Sequence, residues 1–157
     1  MYTYYNVTKM NKVYKVETAK GYDLAKRLRI PADVLSNQAE YINIVRAGIS
    51  GEVVKKAIEI IGNREIFVRL LNTTSANLNR YYRKKTLNRV DTEEVLDTIR
   101  VFAQALQIWG DADTAKTWLN TPIPALSGEK PANLFDTFAG RNWVRQILHK
   151  IEQGEFT

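Results

Sequence analysis

The chain contains no cysteine and a single histidine, His149. Without cysteine there is no disulfide framework and no thiolate metal site. With one histidine there is little material for general acid–base chemistry. No Ser/His/Asp arrangement, Gly-rich phosphate loop or His-Glu-x-x-His pattern occurs. His149 falls off the apolar stripe formed by Val144, Ile147, Leu148 and Ile151, so it is expected on a solvated surface. Asp111 and Asp113 alternate ahead of a helix, where acids ordinarily cap and complement the helix dipole rather than hold a metal. No catalytic residue, metal ligand or cofactor is therefore expected, and the chain reads as a binding protein. No apolar run reaches about eighteen residues, so no membrane span is expected. Met1 to Asn6 also lacks the basic-then-apolar order of an export signal.

What the chain does have is positive charge, unevenly placed. Its 157 residues carry 23 Lys and Arg against 17 Asp and Glu, a net +6. The excess lies in the first hundred residues. Between Glu65 and Asp91 there is no acid, while Arg69, Arg80, Arg83, Lys84, Lys85 and Arg89 are all cationic. Such a local field favours a polyanion.

Periodicity predicts an all-α fold. Residues 1–40 are an N-terminal arm of uncertain structure, although Gly21 to Arg29 could form a helix that Pro31 stops. From Tyr41 the pattern sharpens. Val54, Ala57, Ile58 and Ile61 recur at helical spacing, closed by Gly62-Asn63. Ile66, Phe67, Leu70 and Leu71 mark a second short helix, and Asn72 suits a left-handed turn. Thr74 is a candidate N-cap for a third, with Leu78 and Tyr82 turned inward. Asp91, followed by Glu94, reads as a capping box, with Val90 and Val95 as its hydrophobic staple. Val95, Ile99, Phe102, Leu106 and Trp109 then form a continuous stripe that Gly110-Asp111 stops. A further helix runs to about Leu119. The long helix near 91–109 is expected to pack the two ends of the chain together.

Helix, short turn, helix with an inward Leu78 is the layout of a helix-turn-helix. Thr74, Ser75, Asn77, Asn79, Arg80 and Arg83 then fall at its cap and on its outward face. Asn can read adenine bidentately and Arg guanine, while Lys84, Lys85 and Arg89 suit phosphates. The helix N-terminus adds partial positive charge for a phosphate. The competing reading is a helical hairpin with a solvated polar face.

The last forty residues carry a dense ordered pattern: Trp118-Leu119, Pro122, Pro124-Ala125-Leu126, Gly128, Pro131, Leu134, Asp136-Thr137, Gly140, Val144, Leu148, then Ile151-Glu152 and Gly154-Glu155-Phe156-Thr157. This resembles the toxin-binding domain of Xre/MbcA/ParS-type antitoxins, and Tyr41 to Thr157 resembles the whole of such a protein. Asn72 replaces a glycine common in the family's turn, Phe135 stands where a second leucine is usual, and Trp143 is larger than expected. The resemblance implies a Cro/repressor-like helix-turn-helix over 41–110 and a small helical toxin-binding domain over 111–157. It further implies a cytoplasmic antitoxin whose partners are a cognate NAD-consuming RES-domain toxin and its own operator DNA, acting as a homodimer and as a hetero-oligomer with toxin. Carried onto this chain, the toxin-facing candidates are the outward face of the last helix (Arg141, Trp143, Arg145, His149) and the tail Gly154, Glu155, Phe156 and Thr157. Two other readings stay open: a stand-alone helix-turn-helix regulator, and a toxin inhibitor without specific DNA binding.

Overall fold

The computed structural model describes residues 23–155, and among them every regular element is helical. A helical segment over 23–28 is followed by a 3-10 turn, Ala32–Leu35, and then by α1 (Gln38–Ala47), α2 (Gly51–Ile61), α3 (Arg64–Leu70) and α4 (Ser75–Tyr82). The long α5 spans Arg89–Trp109, and α6 Ala112–Leu119. Two 3-10 turns, Pro124–Leu126 and Pro131–Leu134, lead into α7, Phe138–Glu152. The all-α expectation holds. The expected arm lies largely outside the described residues; of the helix expected from Gly21, residues 23–28 are seen ahead of Pro31.

Local chemistry sets the boundaries. Each helix from α1 to α7 starts at a polar residue whose side chain accepts a free backbone N–H: Asn37, Ser50, Asn63, Thr74, Asn88, Asp111 and Thr137. Such caps are each worth about 1 kcal/mol. Asp111 takes both the backbone N–H and the hydroxyl of Thr114 at 2.8 Å, and these bonds hold its carboxyl below the usual carboxylate range. Gly62 closes α2 in the left-handed region, and Asn72 adopts φ 48° in the turn after α3, as its residue type suggests.

The start of α5 departs from expectation. Asn88, not Asp91, is the cap: its Oδ1 accepts from Asp91 N at 2.8 Å, and its Nδ2 donates to Asp91 Oδ2 at 3.2 Å. The helix therefore begins about a turn early. Val90 falls inside the first turn, 65% exposed, and cannot staple to Val95, while Glu94 is committed elsewhere.

α5 is the hub. It packs against α1, α2, α3, α6 and α7. Val95, Leu96, Ile99, Val101, Phe102 and Ala105 are all buried, together with Thr92, Asp97 and Thr98. A helix buried around most of its girth has many neighbours rather than one. One continuous apolar cluster runs from Leu24 through Phe67 and Phe102 to Leu148. Leu126, Phe135, Val144 and Leu148 belong to it; Trp118 and Leu134 pack half-buried against it.

Candidate functional site

The cationic surface is built on α4. Leu78 is fully buried and anchors the helix, a burial worth about 1.5–3 kcal/mol. Its cap is Thr74, whose Oγ1 accepts from Asn77 N at 3.1 Å. Thr74, Ser75, Asn77, Asn79, Arg80, Arg83, Lys84, Lys85 and Arg89 are all exposed. The fold thus brings every residue expected to face DNA into solvent, on α4, the loop after it and the first residue of α5. Lys84 Nζ lies 4.2 Å from the Tyr81 ring centre. Tyr82 is only half-buried.

Two sets of bonds fix α4 in place. Arg64, at the start of α3, donates from Nη1 to the Tyr82 hydroxyl at 2.8 Å, from Nη2 to Ser75 O at 2.6 Å and from Nε to Ser75 Oγ at 3.3 Å. One guanidinium therefore clamps both ends of α4. On the other side, Gly51 N donates to Lys84 O and Leu87 N to Ile49 O, each at 2.8 Å. A Cβ at Gly51 would overlap the Tyr81 carbonyl oxygen, so only glycine permits this approach. Thr92 completes the arrangement: its Oγ1 accepts from Ile49 N at 3.3 Å and donates to Leu87 O at 3.4 Å. Sequence reasoning missed Arg64, whose partners lie 11 and 18 residues away and leave no local signal.

The second surface is α7. Val144, Ile147 and Leu148 face inward. His149 is exposed, Trp143 is 37% exposed, and Gly154 and Glu155 are in solvent. Phe156 and Thr157 lie outside the described residues. Phe138, absent from the expected set, is 62% exposed in the first turn. Its position off the Val144–Leu148 stripe was the available signal.

Arg141 corrects the expectation of an outward face. It is 1% exposed and is among the largest fully buried side chains. Nε donates to Asp97 Oδ2 at 2.6 Å, and Nη1 to Glu94 Oε2 at 2.9 Å and Phe135 O at 2.8 Å. Burial alone would lower its pKa; the bonds to Glu94 and Asp97 and their charge outweigh this and raise it. Arg145 is also turned partly inward: Nη2 contacts the Asp97 carboxylate and backbone oxygen, and Nη1 donates to Asn142 Oδ1 at 2.9 Å. The reason is helical register. Arg141 precedes Val144 by three and Leu148 by seven, which is the inner stripe, and carboxylates on α5 make its burial tolerable.

No group of three or more His, Cys, Asp or Glu that could hold a metal occurs among the described residues, and no helix there is long and apolar enough to cross a membrane. The described residues thus form a helical unit that carries a cationic helix, α4, and an aromatic-bearing helix, α7, both tied to α5 or the residues it holds. Residues 104–154 match the family described as the antitoxin Xre/MbcA/ParS C-terminal toxin-binding domain. The chain is similar to the Prs ADP-ribosylating antitoxin of Sphingobium sp. (strain YBL2), 25% identical over 132 residues, covering 77% of this chain and 83% of that protein. It is also similar to Antitoxin Xre of Yersinia enterocolitica, 31% identical over 68 residues, covering 43% of this chain and 46% of that one. Over its C-terminal third the chain therefore resembles the Xre/MbcA/ParS-type antitoxins, and both relatives carry the name antitoxin.

Proposed function

We propose that the chain neutralises a cognate RES-domain toxin in the cytoplasm by covering its NAD-consuming active site, and represses its own operon through α3 and α4 as a helix-turn-helix. The observation that carries the first half is the match of residues 104–154 to a toxin-binding domain, on a unit whose last helix keeps Phe138, Trp143 and His149 in solvent. Exposed aromatics on a helix surface suit a protein interface. The Sphingobium relative's name joins an antitoxin to ADP-ribosylation, which draws ADP-ribose from NAD, and this supports an NAD-consuming target.

Neutralisation needs no chemistry from this chain. An NAD pocket recognises phosphates and flat rings, so the tail of Gly154, Glu155, Phe156 and Thr157 offers a carboxylate and a ring to such a pocket. Arg145 and Arg141 hold α7 rather than the toxin. The second half rests on the exposed cations of α4 and on Asn77 and Asn79 beside them. A homodimer would set two such helices on half-sites one turn apart, about 34 Å. A hetero-oligomer with toxin would carry both activities.

The test is protection of cells co-expressing the toxin. The full chain is expected to protect, while Phe138→Glu, at a position 62% exposed, and deletion of 154–157 are expected to lose protection with unchanged melting temperature and operator binding. Full protection by both variants would overturn the blocking mechanism.

A further inference from the structure

A groove of about 320 Å³ opens between α1 and the start of α5. Ile42, Val45 and Arg46 on α1 line it, with Arg89, Val90 and Glu93 on α5. Val90 is 65% exposed and Ile42 39%, whereas every other described valine is buried or half-buried. Single exposed apolar residues are ordinary, but two beside a groove flanked by charges of both signs mark an interaction surface. Among the described residues neither Arg46 nor Glu93 takes part in an ion pair.

We propose that this groove is the contact between two copies of the chain. Val90 of each copy enters the other's groove beside Ile42 and Val45, and Arg46 of each meets the partner subunit's Glu93. Charge complementarity selects this occupant. A partner of one sign would meet a like charge in this groove, whereas a two-fold pairing of the same patch gives Arg46 and Glu93 each its opposite. Val90 directly follows Arg89, so the pairing also carries two cationic segments on one assembly, as half-site binding requires. This deepens the dimer reading above and is independent of the toxin. The seven lining residues fall short of the roughly 20–30 a side of a standard interface, so the dimer is expected to dissociate on dilution.

Sedimentation velocity over a dilution series of the full chain, without DNA or toxin, tests it. Wild type is expected to pass reversibly from dimer to monomer, and Val90→Glu, on an exposed first turn, to weaken association about tenfold or more with unchanged melting temperature. Arg46→Glu and Glu93→Arg are each expected to weaken association, yet mixing the two proteins restores it, because their heterodimer pairs opposite charges at both contacts. A dimer indifferent to Val90→Glu, with no rescue on mixing, overturns the groove contact alone. A wild type that is monomeric throughout overturns both the groove contact and the dimer reading, and leaves the toxin reading intact. If Val90→Glu instead removes operator or toxin binding from such a monomer, the groove serves that ligand and the proposal fails.

Discussion

Replacing Arg141 by methionine separates a buried strut from a surface contact. Methionine keeps the aliphatic length but removes three hydrogen bonds: to Asp97 at 2.6 Å, Glu94 at 2.9 Å and Phe135 O at 2.8 Å. Breaking a buried ion pair by deleting one partner costs about 3–5 kcal/mol, because the orphaned charge stays behind. Two features pull the figure to the lower end. Asp97 keeps Arg145, and the Glu94 side chain, 28% exposed, can be rehydrated. About 3 kcal/mol remains, a large share of the roughly 5–15 kcal/mol by which a domain is stable. At about 2–4 °C per kcal/mol for a chain of this size, the melting temperature should fall by roughly 6–12 °C.

Thermal and urea denaturation followed by circular dichroism give the measurement, and a double-mutant cycle with Glu94→Gln gives the coupling. Toxin neutralisation should fall together with stability, whereas Phe138→Glu should lose neutralisation at full stability. A loss within about 0.5 kcal/mol, typical of surface substitutions, would refute the buried strut and return Arg141 to the toxin-facing set.

Arg80→Glu combined with Arg83→Glu should abolish operator binding in a gel-shift assay and spare toxin neutralisation. With about five cations on phosphates, log affinity should fall against log salt with a slope near −4.5, and a flat titration would favour an inhibitor without DNA binding. Gly51→Ala should cost about 1–3 kcal/mol, because its methyl would overlap the Tyr81 carbonyl and push α4 away from α2. Melting and gel-shift measurements should fall together; an unchanged melting temperature would show that the approach is not close.

Where one residue's own chemistry sets the structure, the sequence was readable. Thr74 and Asp111 are good acceptors ahead of apolar periodic runs, and both cap helices. Asn72 tolerates positive φ and adopts it; Leu78 sits where the helical repeat turns it inward. The start of α5 was misread because Asn88 and Asp91 are both competent caps, and only the tertiary position of Glu94 and the exposure of Val90 decide between them. Arg141 was misread for a related reason. Hydrophobic patterning assigns charge to the outside, and the carboxylates that reverse this lie more than forty residues away. The candidate site was readable as a cationic segment and a terminal motif; the Arg64 clamp and the exposed Phe138 depend on neighbours distant in sequence.

Both candidate surfaces hang from the first three turns of α5. Thr92 ties it to Ile49 and Leu87, and through them to the Gly51–Lys84 junction behind α4. Glu94 and Asp97, less than two turns on, hold Arg141 and Arg145 of α7. Arg69 on α3 adds a second tie, 3.9 Å from Asp136 just ahead of α7. These anchors share one helix, and the buried apolar residues on both sides of it form one cluster. A rotation of α7 on a bound partner would have to break a buried guanidinium–carboxylate contact or drag α5 with it. Dragging α5 moves Thr92, and with it the backbone that positions α4. Interiors packed at crystal-like density transmit such strain instead of absorbing it. The bonds that seat α7 and those that seat the backbone behind α4 thus converge on one stretch of α5.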